Sequence, residues 1–469
     1  MRSVAIEVAQ RWFDAGRLFE EVARRVAWPT ESQDPERHAQ LSGYLTVELV
    51  PVLARLGFCS RLIDNPVPGG PPFLFAERFE PGATTTIFSY GHGDVVWGDA
   101  ASWDQGRSPW ELESEEGRWY GRGSADNKGQ HSINLAALEQ VLALRGHLGV
   151  NVKILFEMGE ETGSPGLAQL CRTHRDEFAA DVFIASDGPR LRADRPTLFL
   201  GARGTYDFRL EVNLRERGHH SGNWGGLLAN PGTILAHAIA SLIDPRGSIL
   251  VPGLRPPEIA PSVRQALALI EVGDVGGPVI DPAWGEPGLT AAERVFGWNS
   301  LEVLAFQTGN PQRVVNAIPG YAFAHLQLRF VVGCESRGFT NALREHLDAH
   351  GFSGVALVPS PQEPMPATRL DPEHPWVRRV AASIKATTGA LPAILPNLGG
   401  SLPNDCFADI LGLPTVWIPH SYPSCAQHAG NEHLLESVAR EGLAIMVGLF
   451  WDLGEPHGPN ECSGVSSAA

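Results

Sequence analysis

Three apolar, strand-like runs in this chain each end on residues that bind cations. TTIFSY runs into Gly91-His92-Gly93-Asp94, VKILFE into Gly159-Glu160-Glu161, and DVFIAS into Asp187. From Pro81 to about Gly201 such runs alternate with helical stretches, the longest from Lys128 to Leu144, as βαβ units in a mostly parallel sheet require. In an open sheet of that kind the ligand crevice lies outside the carboxyl ends of the strands. The three strand ends therefore predict one shared site. Asp126, just before the long helix, and His428, far along the chain, complete a set of five candidate ligands with His92, Glu161 and Asp187. Imidazole and carboxylate oxygen without sulfur suit zinc, manganese or cobalt, and a carboxylate placed between two ions bridges them at about 3.5–4 Å.

The gap between Asp187 and His428 takes up about half the chain and predicts an inserted domain over residues 202–370. Within it YDFRLEVNL and AFAHLQLRFVV alternate with period two, ANPGTILAHAIASLID and SRGFTNALREHLDAHG read as helices, and GVALVPS reads as a strand. The pattern is a small α+β sandwich, interrupted by a Pro- and Gly-rich excursion from Leu250 to about Gly297 that could help line a substrate pocket together with Trp224. Residues 1–201 and 371–469 are expected to form one catalytic, metal-binding domain around the five candidate ligands. Its second part is expected to hold a helix over Val377 to Thr388, the strand PTVWIPH, a helix from Glu432 to Leu453 and a disordered tail, GEPHGPNECSGVSSAA.

The formal charge of −16, with no cluster of Lys and Arg, argues against nucleic acid or an anionic membrane as partner. No apolar run is long enough to span a bilayer. The N-terminus, MRSVAIEVAQRWFDAGRLFEEVARR, reads as an amphipathic helix without a signal-peptide core, so cytoplasm is the expected location. The six cysteines have no CxxC spacing, and reduced thiols fit them better than a disulfide framework.

Two adjacent glutamates at a strand end can divide the work, one binding an ion and one accepting a proton. A water held between two divalent ions is acidified towards neutrality, and a nearby carboxylate takes its proton and passes it to a leaving amine. That is amide hydrolysis. The segments SYGHGDVV, GRGSADNKG, FEMGEETGSPGL, IASDGP, HHSGNWGG, NAIPG, LGGSLPND and HAGNE occur in an order that resembles the M20 family of metallopeptidases, the aminoacylase and carboxypeptidase group. GARGTYDF, HHSGNWGGLLANP and SLIDPRGSILVPG are most similar to its carnosine-dipeptidase-like branch.

That resemblance implies a dizinc-aminopeptidase-like α/β catalytic domain, an inserted lid and dimerisation domain, two divalent ions with zinc first and manganese or cobalt as alternatives, and a homodimer. It implies that His92 and Asp187 hold one ion, Glu161 and His428 the other, and Asp126 both. It further implies Glu160 as general base, Asp94 as the carboxylate that fixes the His92 tautomer, and a cis bond at Asp126-Asn127. His220 is implied as the oxyanion-stabilising group, acting across the subunit interface. Asn316 and Ser401 match substrate-contact positions. Arg329 also has a reading of its own. In AFAHLQLRFVV it lies on the strand face opposite Leu326, Leu328 and Phe330, where a guanidinium suits the carboxylate of a peptide-like substrate. Arg203, at the entry to the lid, reads as structural, with a substrate-facing role as the alternative.

The reading is thus a two-metal hydrolase for a dipeptide or a similar small amide bearing a carboxylate. An N-acyl- or N-carbamoyl-amino-acid amidohydrolase would use the same residues, and an inactive scaffold homologue is the alternative from another class. A serine hydrolase and a dinucleotide-binding protein are excluded by the lack of a GxSxG elbow and of a GxGxxG after a strand.

Overall fold

The computed structural model describes residues 1–273, 277–361 and 364–455, so Cys462 and the tail from residue 456 onwards, expected to be disordered, lie outside the described residues. In chain order the principal strands are β1 (Cys59–Ile63), β2 (Phe73–Arg78), β3 (Thr86–His92), β4 (Asn151–Glu157), β5 (Val182–Ala185), β6 (Thr197–Phe199), β7 (Gly204–Asn213), β8 (Ser300–Thr308), β9 (Tyr321–Phe330), β10 (Ala356–Pro359), β11 (Ala393–Leu395) and β12 (Thr415–Trp417).

Eight of them make one mixed sheet in the order β1-β2-β4-β3-β5-β12-β6-β11. Its centre is parallel: β4 with β3, β3 with β5, and β5 with β12. The central strands are buried on both faces, which is why their sequences are apolar without clear alternation. Ile87, Ile154, Ile184 and Val416 face a core built with the helices Arg2–Asp14, Arg17–Val26, Lys128–Arg145, Pro375–Thr388 and Glu436–Leu453. Phe88, Tyr90, Phe183, Phe199 and Trp417 face a second core, rich in aromatic rings. The single N-terminal helix expected from sequence is two, because Gly16 takes a left-handed conformation (φ 78°) between them.

From β3 the chain crosses to β4 on one side, and from β4 it crosses back over β3 to β5 on the other. The carboxyl end of β3 is therefore a topological switch point, the place where an open α/β sheet leaves a crevice.

The second sheet is antiparallel, ordered β8-β9-β7-β10. Leu326, Leu328 and Phe330 of β9 lie on its inner face with Phe208 and Leu210 of β7, under the helices Pro231–Leu242 and Phe339–Ala349. The face carrying His325, Gln327 and Arg329 points the other way. Strand β8 was not legible in the sequence. It is an edge strand, exposed along nearly its whole length, and so lacks the alternation of a half-buried strand. The excursion after Leu250 packs largely against the large sheet: Ile259, Val263, Leu267, Ile270, Ala292 and Phe296 belong to its aromatic core. Among the described residues no helix is long and apolar enough to cross a membrane.

Candidate metal centre

Strand β3 delivers His92 at its last position, and β5 delivers Asp187 two residues beyond its end. The turn Glu160–Thr162 follows β4 directly and is closed by Gly163 at φ 87°, a conformation that favours glycine. The main chains of β3 and β4 are tied beyond their ends, where Gly93 N donates to Glu157 O at 2.9 Å. Asp126 sits just before the helix Lys128–Arg145, whose N-terminal dipole favours a negative charge there. The Asp126-Asn127 peptide bond is cis.

Two groups of three side chains result, and Asp126 belongs to both. His92 Nε2 lies 3.0 Å from Asp126 Oδ1 and 3.6 Å from Asp187 Oδ2. His428 Nε2 lies 3.1 Å from Asp126 Oδ2 and 3.1 Å from Glu161 Oε2. The first group is closed to solvent, whereas the His428 side chain is 54% exposed. His428 also sits in the left-handed region at φ 61°, on a loop where Ala426 and Asn431 do the same. Each such non-glycine residue costs on the order of 1–3 kcal/mol, which the surroundings must hold in place.

The electrostatics fit a pair of cations. Burial, together with the charge of Asp126, pushes the Asp187 carboxyl up to about 6 and Glu161 up to about 7. Burial and the neighbouring carboxylates Glu161, Asp187 and Asp126 push Glu160 well above the usual carboxylate range, against the pull of His92. Burial alone would raise Asp126 too, but hydrogen bonds from His428 and His92 hold it below its ordinary value. In return, hydrogen bonds to Asp126 and Glu161 lift His428 to about 11. Asp187 Oδ2 is buried without a hydrogen-bond partner. Crowded buried carboxylates, imidazoles turned towards them and an unsatisfied oxygen are what a site for two divalent ions looks like when positive charge is lacking, and an oxygen and nitrogen donor set suits such ions.

Several supports were not singled out in the sequence. Asp94 was expected beside His92: its main-chain oxygen is the hydrogen-bond partner of His92 Nδ1 at 3.1 Å, and its Oδ1 lies 3.3 Å from the same nitrogen. The same carboxylate also accepts the Glu160 amide at 3.2 Å and the Glu161 amide at 3.1 Å, so it ties the two strand ends together. Gln427 Nε2 donates to Asp126 Oδ2 at 2.6 Å. Asn127 Nδ2 donates to Ser186 O at 2.8 Å, holding the Asp126 loop to the end of β5. Glu432, a buried carboxylate four residues after His428, accepts the Asp126 amide at 3.0 Å.

The remaining candidates fall into two further places. Arg329 Nη1 donates to Ser401 Oγ at 2.8 Å, and Ser401 Oγ donates to Arg203 O at 2.6 Å. Leu398, three residues before Ser401, packs against Gly188 next to Asp187. Arg203 Nε donates to Gly399 O at 2.7 Å, and burial, with the Arg329 charge adding to it, lowers its guanidinium to about 10. Arg203 also borders a cavity of about 370 Å³ whose other walls include Trp284, Arg294 and Trp298 from the end of the excursion; Trp224 is elsewhere, edge-on to His219. His220 and Asn316 share a small antiparallel ladder, His219–His220 against Ala317–Ile318, in which Ser221 N donates to Asn316 O at 2.9 Å. Both are exposed, and within one chain neither belongs to the two groups around Asp126.

Comparison with known proteins agrees with this layout. Beta-Ala-His dipeptidase from Rattus norvegicus is 26% identical over 416 residues, covering 82% of this chain and 81% of its own. Cysteinylglycine-S-conjugate dipeptidase from Corynebacterium striatum is 26% identical over 403 residues, covering 82% and 84%. Human carnosine dipeptidase 1 superposes with a TM-score of 0.78 at 24% identity, over 96% of this chain and 98% of that one. The dipeptidase Dug1p of Saccharomyces cerevisiae gives a TM-score of 0.79 at 21% identity, over 96% and 99%. The sequence pattern of one family, described as peptidase family M20/M25/M40, spans residues 88–452 and so takes in most of the large sheet, the whole second sheet and all five candidate ligands: the chain belongs to peptidase family M20/M25/M40.

Proposed function

We propose that the protein is a metal-dependent dipeptidase that cleaves the amide bond of a dipeptide or a similar small amide with a free carboxylate. The observation that carries this reading is the shared Asp126, with a histidine and a second carboxylate on either side of it. Two divalent ions, zinc by choice of donors, would supply an acidified water and polarise the scissile carbonyl. The role of this chain's residues follows from where they stand. His92, Asp126 and Asp187 would hold one ion, and Asp126, Glu161 and His428 the other. Glu160, on the same turn as Glu161, would accept the proton of the attacking water and return it to the departing amine. Asp94 would keep the His92 Nδ1 proton in place, so that Nε2 faces the ion. The Arg329 guanidinium, backed by Ser401, suits the substrate carboxylate.

The homologous dipeptidases support a dipeptide as substrate, whereas an N-acyl- or N-carbamoyl-amino-acid amidohydrolase would need the same ions and base with a different pocket. A homodimer is part of the reading. Strand β8 leaves one side of its backbone open at the sheet edge and exposes Val303, Leu304 and Phe306, which suits pairing with a second copy. His220 and Asn316, exposed on their ladder, would then meet substrate in the partner subunit. The five described cysteines are free thiols, which suits the reducing cytoplasm.

A zinc-loaded sample assayed against paired panels, unblocked dipeptides including β-alanyl ones and N-acyl or N-carbamoyl amino acids, tests the reading. Turnover of free dipeptides is expected, with roughly a 10²–10⁴-fold loss in Glu160→Gln at unchanged zinc content. Activity confined to the blocked compounds would move the assignment to an amidohydrolase. An unchanged rate in Glu160→Gln would remove the proposed base.

A further inference from the structure

Four of the five candidate ligands are placed by the large sheet or by the helix that follows Asp126, but His428 is not. It stands on an irregular loop between Tyr422 and Glu432, partly exposed and in a left-handed backbone conformation. Something must set this loop's register against Asp126.

The residue in position to do so is Glu432. Its Oε1 accepts three main-chain N–H groups of the Asp126 loop, from Gly123 at 3.1 Å, Ala125 at 3.0 Å and Asp126 at 3.0 Å. Its Oε2 accepts from Arg122 Nη1 at 2.7 Å, and both side chains are buried. Its own carbonyl oxygen accepts from Gly121 N at 3.0 Å. The segment from Gly121 to Asp126 thus folds around one residue of the His428 loop. Immediately after it, His433–Leu435 pairs with Arg118–Tyr120, which anchors the far side. Both oxygens of the carboxylate are engaged by protein donors, and Glu432 belongs to neither group of candidate ligands. It acts through Asp126, whose two oxygens lie 3.0 Å from His92 and 3.1 Å from His428.

We propose that Glu432 is a positioning residue: by gathering the Asp126 loop it holds the bridging carboxylate in register with His428, so the half-site of Asp126, Glu161 and His428 depends on it more than the half-site of His92, Asp126 and Asp187. This rests on the two-cation reading above. Partners of this kind behind metal ligands change affinity by roughly 10–100-fold when removed.

Zinc binding decides it. The metal-free wild type, Glu432→Ala and Glu432→Gln are titrated with zinc against a competing chelator, and zinc per chain is counted by mass spectrometry. The expected result is two zinc ions in the wild type, and in Glu432→Ala one retained with near wild-type affinity and one weakened about 10–100-fold. Glu432→Gln, whose amide oxygen still accepts the three N–H groups but cannot neutralise Arg122, falls between them. Turnover follows the second ion, kcat dropping while KM for carboxylate-bearing substrate holds, because Arg329 and Ser401 are untouched. If both variants melt earlier without zinc yet bind two ions with wild-type affinity, Glu432 is merely structural and the proposal is overturned. Should Glu432→Ala fail to fold, Glu432→Gln carries the same comparison. A wild type that binds fewer than two ions brings down the two-cation reading as well, and the wild-type titration alone shows that.

Discussion

The two halves of the candidate metal centre share Asp126 but are built differently. The half with His92 and Asp187 stands on the ends of two adjacent parallel strands and is closed to solvent. The half with Glu161 and His428 takes one ligand from a strand-end turn and one from a strained, half-open loop. Ligands fixed by a sheet are in place before an ion arrives, whereas a loop must be held by its neighbours. The inner position should therefore bind its ion more tightly and exchange it more slowly, and the outer position should govern whether the enzyme is active.

Replacing the shared residue gives the largest effect. Asp126→Ala removes one ligand from each half, so zinc content should fall from two towards zero and activity to background, a loss on the order of 10⁶-fold. Retention of one zinc would mean that the halves are more independent than their geometry indicates. His92→Ala and His428→Ala sharpen the contrast. His428→Ala should keep the inner ion, lose affinity for the outer one by on the order of 100-fold or more, and recover activity when imidazole is added, since its site opens to solvent. His92→Ala should recover nothing, because its ring is fully enclosed. Equal rescue of both variants would erase the distinction between a sheet-built and a loop-built half.

The same distinction explains what the sequence disclosed. His92, Glu161 and Asp187 follow apolar runs, and a parallel sheet brings the ends of such runs together whatever the loops do, so these three, two in the inner half and one in the outer, were readable from periodicity and strand ends. His428 was placed by the resemblance of HAGNE to a family motif. Its supports lie where local pattern carries no signal: Glu432 meets the Asp126 amide across 306 positions of sequence, and Gln427 meets the Asp126 side chain across 301. The second sheet shows the same limit. Strand β9 announced itself by alternation because one face is buried, but β8, exposed on both faces of an edge, did not. His220 and Asn316 stay apart from the two groups around Asp126 within one chain, and nothing in the local pattern of their exposed ladder relates them to those groups.

The smallest expected effect is the pH dependence of the metal-free protein. Asp187, raised to about 6, and Glu161, raised to about 7, bind protons more tightly in the folded chain than in the unfolded one, where carboxyls titrate near 4. Their contribution to stability is complete below about pH 4 and is lost as pH rises through 6 and 7. His428, lifted to about 11, has the same sign, its contribution being lost between the ordinary histidine value near 6.5 and 11. Asp126 has the opposite sign, but its effect falls below pH 4, outside the working range. The buried His131 and His420, whose imidazoles are held low by burial, add stability as pH rises, so the site's own share is read against an Asp187→Asn, Glu161→Gln double variant. Relative to that variant the metal-free protein should lose melting temperature from pH 5 to pH 8, by on the order of 5 °C. Zinc should reverse the trend, because its ligands must be deprotonated to bind, so stabilisation by the ion grows over the same interval. Thermal scans of both forms from pH 5 to pH 8 check this. If the wild type and the double variant change equally with pH, the carboxylates around Asp126 do not repel one another as their burial implies. With zinc limited to one ion per chain, the inner half should be relieved first. Relief of the fall near pH 6 but not near pH 7 would assign Asp187 to the tighter position and Glu161 to the weaker.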